Sequence, residues 1–330
     1  MKKIIILILL IIISSCSSDS ETNTVNSTPT PPPPQTPTLT NNGNAQFTAR
    51  YDFGICSFNN NLFVIGGYKT PTFNNEIWKS SDGLNWNLVT NNAPFSKRSG
   101  HKIFEFNSKL WLIGGYDTNG TPMFKNDIWN SSDGINWTQA TNNAPFSQRS
   151  NFGLVIFNSK IYLIGGYNTY GTPMFKNDIW SSSDGINWTQ VTNNAPFSQR
   201  SNFGLAVFNS KIYLIGGYNT YGTPMFKKDV WSSNDGTNWS LETNNAPFSE
   251  RSDFGLVNYN SKLWVIGGYK TPTFNNEIWN SSDGINWTKE TSLSNFSERA
   301  YSGVCTFQNK IFIIGGYKTP TFYNDIITIQ

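Results

Sequence analysis

The chain's six arginines occupy one repeat position: Arg50, Arg98, Arg149, Arg200, Arg251 and Arg299. A carboxylate opens the third strand of each copy: Glu76, Asp127, Asp178, Asp229, Glu277 and Asp325. A set of guanidinium groups could hold an anion such as a sugar carboxylate. Recurrence in every copy points instead to a structural role, because the planar fork keeps several donors satisfied at once against loop carbonyls or those acids. Positions that vary between copies are the better ligand candidates. Two residues after each Arg stand Asp52, Gly100, Asn151, Asn202, Asp253 and Tyr301, and His101, the single histidine, follows Gly100. One histidine leaves little catalytic chemistry. A Ser-His-Asp triad would have to use His101, and with only Cys56 and Cys305 beside Cys16 no zinc cluster can be assembled. No glycine-rich phosphate loop precedes a helix. The reading is therefore no catalytic residue, no metal and no cofactor.

These residues ride on a repeat. An apolar run ending in Gly-Gly-Tyr closes at Tyr68, Tyr116, Tyr167, Tyr218, Tyr269 and Tyr317, at intervals of 48, 51, 51, 51 and 48 residues. In the third copy, Lys160 to Gly166 is a short apolar strand. Asn177 to Ser181 and Asn187 to Thr192 are two more, each with a Trp, and Gly, Ser-Asp-Gly and Ala-Pro mark the joins. In Ser-Ser-Asp-Gly-x-Asn-Trp the Asp should bond its own turn, the Gly should take φ > 0 and the Trp should pack between blades. A period near 50 residues with four short strands per copy is that of a kelch-type blade. On these motifs residues 37–330 resemble the kelch-repeat β-propeller family. The resemblance implies an all-β, six-bladed propeller of four-stranded blades. The last copy stops at Gln330 after its third strand, while Thr38 to Asn42 resembles Leu88 to Asn92. Residues 37–42 are therefore predicted to supply the outer strand of blade six and close the ring. Cys56 and Cys305 share one repeat position in neighbouring blades, so they should face different interfaces and stay reduced.

In kelch propellers recognition takes place on the face carrying the loop between strands two and three. Here blades one, five and six have the short loop Tyr-Lys-Thr-Pro-Thr-Phe, and blades two, three and four a longer one. The high half presents Tyr170, Tyr221, Met123, Met174, Met225, Phe124, Phe175 and Phe226. Acidic residues gather on the low half, and amides lie on the high half with Lys97 and His101. Aromatics beside amides and a few carboxylates suit a peptide segment or a carbohydrate. The expected function is a non-enzymatic, monomeric module that binds a protein or glycan. The alternative is a carbohydrate-active enzyme such as the kelch-type sialic acid mutarotases or epimerases, with Asp52, Asp253, Glu250 or Glu298 as acid/base groups. The copper chemistry of galactose oxidase, which shares the kelch propeller, needs two histidine ligands, and this chain has one.

The ends carry a different message. Lys2 and Lys3 followed by Ile4 to Ile13 read as a secretory signal over residues 1–15, too short to span a bilayer. Ile13-Ser14-Ser15-Cys16 resembles a bacterial lipobox, which implies lipidation of Cys16. Residues 16–36, rich in Ser, Thr, Asn and Pro, read as a disordered tether. Asp19 and Glu21 resemble the signal that sends some lipoproteins to the cell surface. The expected location is the bacterial outer membrane or cell surface, with the lipid as the only membrane contact. Loss of Lys2 and Lys3 lowers the net charge from +3 to +1. That near-neutral balance argues against nucleic acid as a partner.

Overall fold

Each copy folds into strands where short β-branched and aromatic runs are cut by residues that tolerate φ > 0. In blade one the strands are Gly54–Phe58, Asn61–Ile65, Ile77–Ser80 and Asn87–Thr90, paired in that order. Asn59 and Asn60, at φ 46° and 56°, make the two-residue turn between the first two strands. Such turns match the right-handed twist of a hairpin. In the hairpin between strands three and four, Asp82 accepts the backbone N–H groups of Leu84 and Asn85 at 2.8 Å. Gly83 sits at φ 75°, where a Cβ would lie 2.3 Å from the Phe312 ring of blade six. Trp86 then meets Phe47 edge-on at 5.3 Å.

A computed structural model describes residues 36–330. The expected signal, Cys16 and the tether before Thr36 lie outside the described residues. Six four-stranded antiparallel sheets form the blades of a propeller. The N-terminal strand Leu39–Asn44 pairs antiparallel with Thr321–Ile329, Leu39 opposite Ile329, and completes blade six. Backbone bonds between Thr38 and Gln330, at 3.0 and 3.2 Å, extend the pairing. The strand runs two residues later than predicted, because its ladder continues through a bulge to Asn44 opposite Asp325. Among the described residues the only helical element is the 3-10 turn Thr291–Leu293, placed where blade five's outer strand is cut to Thr288–Lys289.

The core is divided among the blade interfaces rather than gathered at one centre. Phe58, Phe63, Ile65 and Ile77 of blade one pack on Ile103, Leu110 and Leu112 of blade two, and five equivalent clusters complete the circle. Cys305 belongs to the cluster between blades six and one, and Cys56 to that between one and two; both are free thiols. Burial pushes the Cys56 thiol up to about 12.

The six arginines are consumed in this scaffold. Each is buried and pairs at 2.5 to 2.7 Å with the acid that opens its own blade's third strand. Each also donates to the carbonyl of the first glycine of Gly-Gly, from Gly66 in blade one to Gly315 in blade six. The guanidinium lies 5.4 to 5.9 Å from the ring of a Phe three residues upstream. These bonds commit the guanidinium groups to the scaffold; only the buried Nε of Arg299 is without a partner.

Candidate functional site: an axial funnel with a polar floor

The second glycine of each Gly-Gly donates to the Arg carbonyl of the next blade, as Gly67 does to Arg98 at 2.9 Å. This contact brings the residues after each Arg to the propeller axis. There the backbones of Asp52, Gly100, Asn151, Asn202, Asp253 and Tyr301 hydrogen-bond in a closed circle. Each N–H donates to the carbonyl of the preceding blade at 2.9 to 3.1 Å, and Asp52 closes onto Tyr301. All six residues adopt φ between 54° and 62°. Gly, Asn and Asp tolerate that region; Tyr301 is the one bulky residue forced into it. The circle forms the floor of a funnel that opens on the Gly-Gly-Tyr loop face.

Aromatic rings wall the funnel in a second closed circle. Tyr51, Tyr68, Phe73, Tyr116, Phe124, Tyr167, Phe175, Tyr218, Phe226, Tyr269, Phe274, Tyr317 and Phe322 follow one another, neighbouring ring centres 4.4 to 6.0 Å apart. The cavity they enclose measures about 430 Å³, and Asp52, Asn151, Asn202, Asp253 and Tyr301 all line it. Below the circle a cavity of about 110 Å³ is lined by the same five residues and Lys102. A further cavity of about 210 Å³ is lined by Lys102 and His101 with apolar side chains such as Leu205, Leu256 and Val304.

The floor is charged but incompletely paired. Asp253 accepts hydrogen bonds from Ser252 Oγ at 2.5 Å and from Asn202 Nδ2. Burial pushes the Asp52 carboxyl up to about 7, and the neighbouring Asp253 adds to the shift. Burial likewise raises Asp253 to about 7, opposed by its hydrogen bonds and by Lys102. Burial lowers Lys102, against the attraction of the two carboxylates. Among the described residues no three His, Cys, Asp or Glu side chains gather to hold a metal ion.

Five of the residues singled out in the sequence thus meet on the floor. Phe175 and Phe226 line the wall; Phe124 belongs to the same circle but is packed between Tyr116 and Tyr167, outside the cavity lining. Tyr170 and Tyr221, each 75% exposed, stand at the rim with their rings edge-on to Phe124 and Phe175. His101 lies below the floor, wedged between blades one and two, with neither ring nitrogen hydrogen-bonded. Glu250 and Glu298 form rim ion pairs with Lys270 and Lys318 at 2.5 and 2.6 Å. Sequence reasoning missed Lys102, although a signal was present. The same position is Gly54, Gly153, Gly204, Gly255 and Gly303 in the other copies.

The profile of the family described as KLHDC2/KLHL20/DRC7 Kelch-repeats domain matches residues 52–238 and 151–330. The chain belongs to the kelch-repeat β-propellers. Kelch propellers commonly mediate protein interactions, which makes protein binding the class of function the fold supports. No curated protein matches the chain.

Proposed function

We propose that this propeller is a non-enzymatic binding module that takes a segment of a partner protein into the axial funnel. The observation that carries the reading is the funnel itself: a circle of aromatic rings packed mostly edge-on or tilted, above a floor of side-chain amides and carboxylates. Aromatic walls give large contact area at low entropy cost, and a few convergent polar groups fix register. We further propose that the module is exported and held on the outer membrane or cell surface by a lipid on Cys16, on the strength of the basic, apolar and small-residue order of the first sixteen residues. Selection of random peptides displayed on phage against the full chain tests the first reading. Peptides that bind saturably and lose affinity when Tyr167 or Tyr218 is changed to Ala support it. Saturable binding of sugars on a glycan array, with no peptide selected, overturns it.

A second reading rests on one specific observation. Two buried carboxyls that titrate near neutrality are suited to proton transfer. A sugar mutarotase or epimerase would use them so. It requires anomer or epimer exchange on a bound sugar that Asp52→Asn or Asp253→Asn abolishes while the sugar still binds.

A further inference from the structure

We infer that the funnel floor takes a cationic group of the bound segment, an ammonium or guanidinium, between Asp52 and Asp253. This rests on the reading that the funnel receives a protein segment, and it names what that segment must present at its tip.

The first support is a charge count in a confined space. Asp52, Asp253 and Lys102 are the ionisable acid and base groups of the floor, and all three reach the small cavity beneath it. Lys102 can neutralise one carboxylate. The other faces the larger cavity above with no cationic side chain among its lining residues. A buried charge is tolerated when paired, so with both carboxyls ionised the floor is one positive charge short. The ring of tyrosines around the cavity favours the same sign, because a cation is drawn to the face of an aromatic ring. Ser99 is fully buried beside Asp52 and Tyr116. Gly100, next in the chain, leaves the same sector of the floor without a side chain, filled in part by the Asn151 amide.

Uptake should depend on pH in a defined direction. The groups that face the pair are Lys102 from blade two, Tyr301 from blade six, and Tyr51 and Tyr116 from the wall. Burial raises all three tyrosines, and it lowers Lys102 against the attraction of the two carboxylates. The two carboxyls titrate at about 7. A cation binds their ionised form, so affinity should rise as pH increases through neutrality.

The test uses the full chain and small probes followed by changes in its NMR spectrum. N-acetyl-lysine methylamide carries a side-chain ammonium, N-acetyl-arginine methylamide a guanidinium, and alanine methylamide a terminal ammonium. N-acetyl-norleucine methylamide is the neutral control. At least one cationic probe should bind saturably while the neutral probe does not, and affinity for the lysine or arginine probe, charged throughout, should fall about tenfold from about pH 8.5 to about pH 6. The arms that bind tell side chain from chain terminus. Asp52→Asn with Asp253→Asn should abolish binding while the thermal unfolding transition persists. Should that double variant fail to fold, Lys102→Met is the second arm: removal of the resident cation should tighten the cationic probe. Equal binding of the norleucine probe, binding that strengthens at acid pH, or no saturable binding of any cationic probe overturns the inference. Phage-selected peptides that bind the funnel without any preference for Lys, Arg or a free terminus overturn it too, and leave the protein-segment reading standing. Cationic probes that bind while no peptide is selected overturn that reading instead.

Discussion

Replacing His101 by Phe should stabilise the propeller, and by an amount that grows as pH falls. The same position is Phe53, Phe152, Phe203 and Phe254 in four other blades. His101 is 2% exposed and neither ring nitrogen has a partner. One buried, unsatisfied polar group costs about 1–3 kcal/mol, so Phe should gain about that much at neutral pH. Space is available, because Phe203 and Phe254 sit against Gly153 and Gly204 as His101 sits against Gly54. Burial, with Arg98 and Lys102 nearby, lowers the imidazole from 6.5 to about 3. The unfolded chain therefore takes up a proton below about 6.5, and the folded chain does not until about 3. Stability from this residue is complete above the upper value and falls by about 1.4 kcal/mol per pH unit within the window. The phenylalanine variant has no such loss. The gap between variant and parent should widen by roughly 3 kcal/mol from about pH 7 to about pH 4. Urea unfolding of both proteins across that range gives the gap directly, since titrations common to both cancel. A gap that does not change with pH, or a variant weaker than its parent at every pH, would refute the placement of a neutral, unpaired imidazole.

Three other outcomes follow from the same structure. Asp52→Asn should stabilise the fold at alkaline pH. The raised carboxyl contributes stability present below its ordinary value of 3.8 and lost as pH rises through about 7, so the melting temperature of the variant should gain on the parent's between about pH 4 and about pH 7, with the difference held above that. Arg149→Ala should cost about 3–5 kcal/mol by stranding Asp178 in a buried site; a loss below about 1 kcal/mol in urea unfolding would mean the pair behaves as a surface bridge. Deleting residues 1–46 removes the strand that covers Ile327 and Ile329. Limited proteolysis should then cut blade six first, and unchanged resistance would contradict closure by that strand.

The repeat made the fold legible. A Gly-Gly-Tyr strand every 48 to 51 residues and a truncated last copy lead to six blades closed by the N-terminus, because strand length and turn chemistry are local properties. The floor was legible only as a column of varying residues: Asp52, Asn151, Asn202, Asp253 and Tyr301 could be aligned on the repeated Arg. That they join through their backbones could not be seen, although Asp, Asn and Gly at five of six positions match the φ > 0 the circle demands. Four of the Gly-Gly-Tyr tyrosines line the cavity, since a residue that recurs in every blade can build a wall by symmetry. His101 and Lys102 show the opposite error. Gly100-His101-Lys102 breaks the pattern Asn-Phe-Gly of blades three and four. Strand direction sends the histidine between blades and the lysine to the axis, and one-dimensional alignment does not separate those fates.

The measurement closest to the central claim is hydrogen exchange of the full chain with and without a phage-selected peptide. Slowed exchange should concentrate on the loop face, at Tyr116 to Phe124, Tyr167 to Phe175 and Tyr218 to Phe226, and at the backbone circle from Asp52 to Tyr301. Protection confined to the opposite end, at the Ser-Asp-Gly hairpins around Asp82, Asp133 and Asp184, or along the outer strands, would contradict the funnel as the binding site.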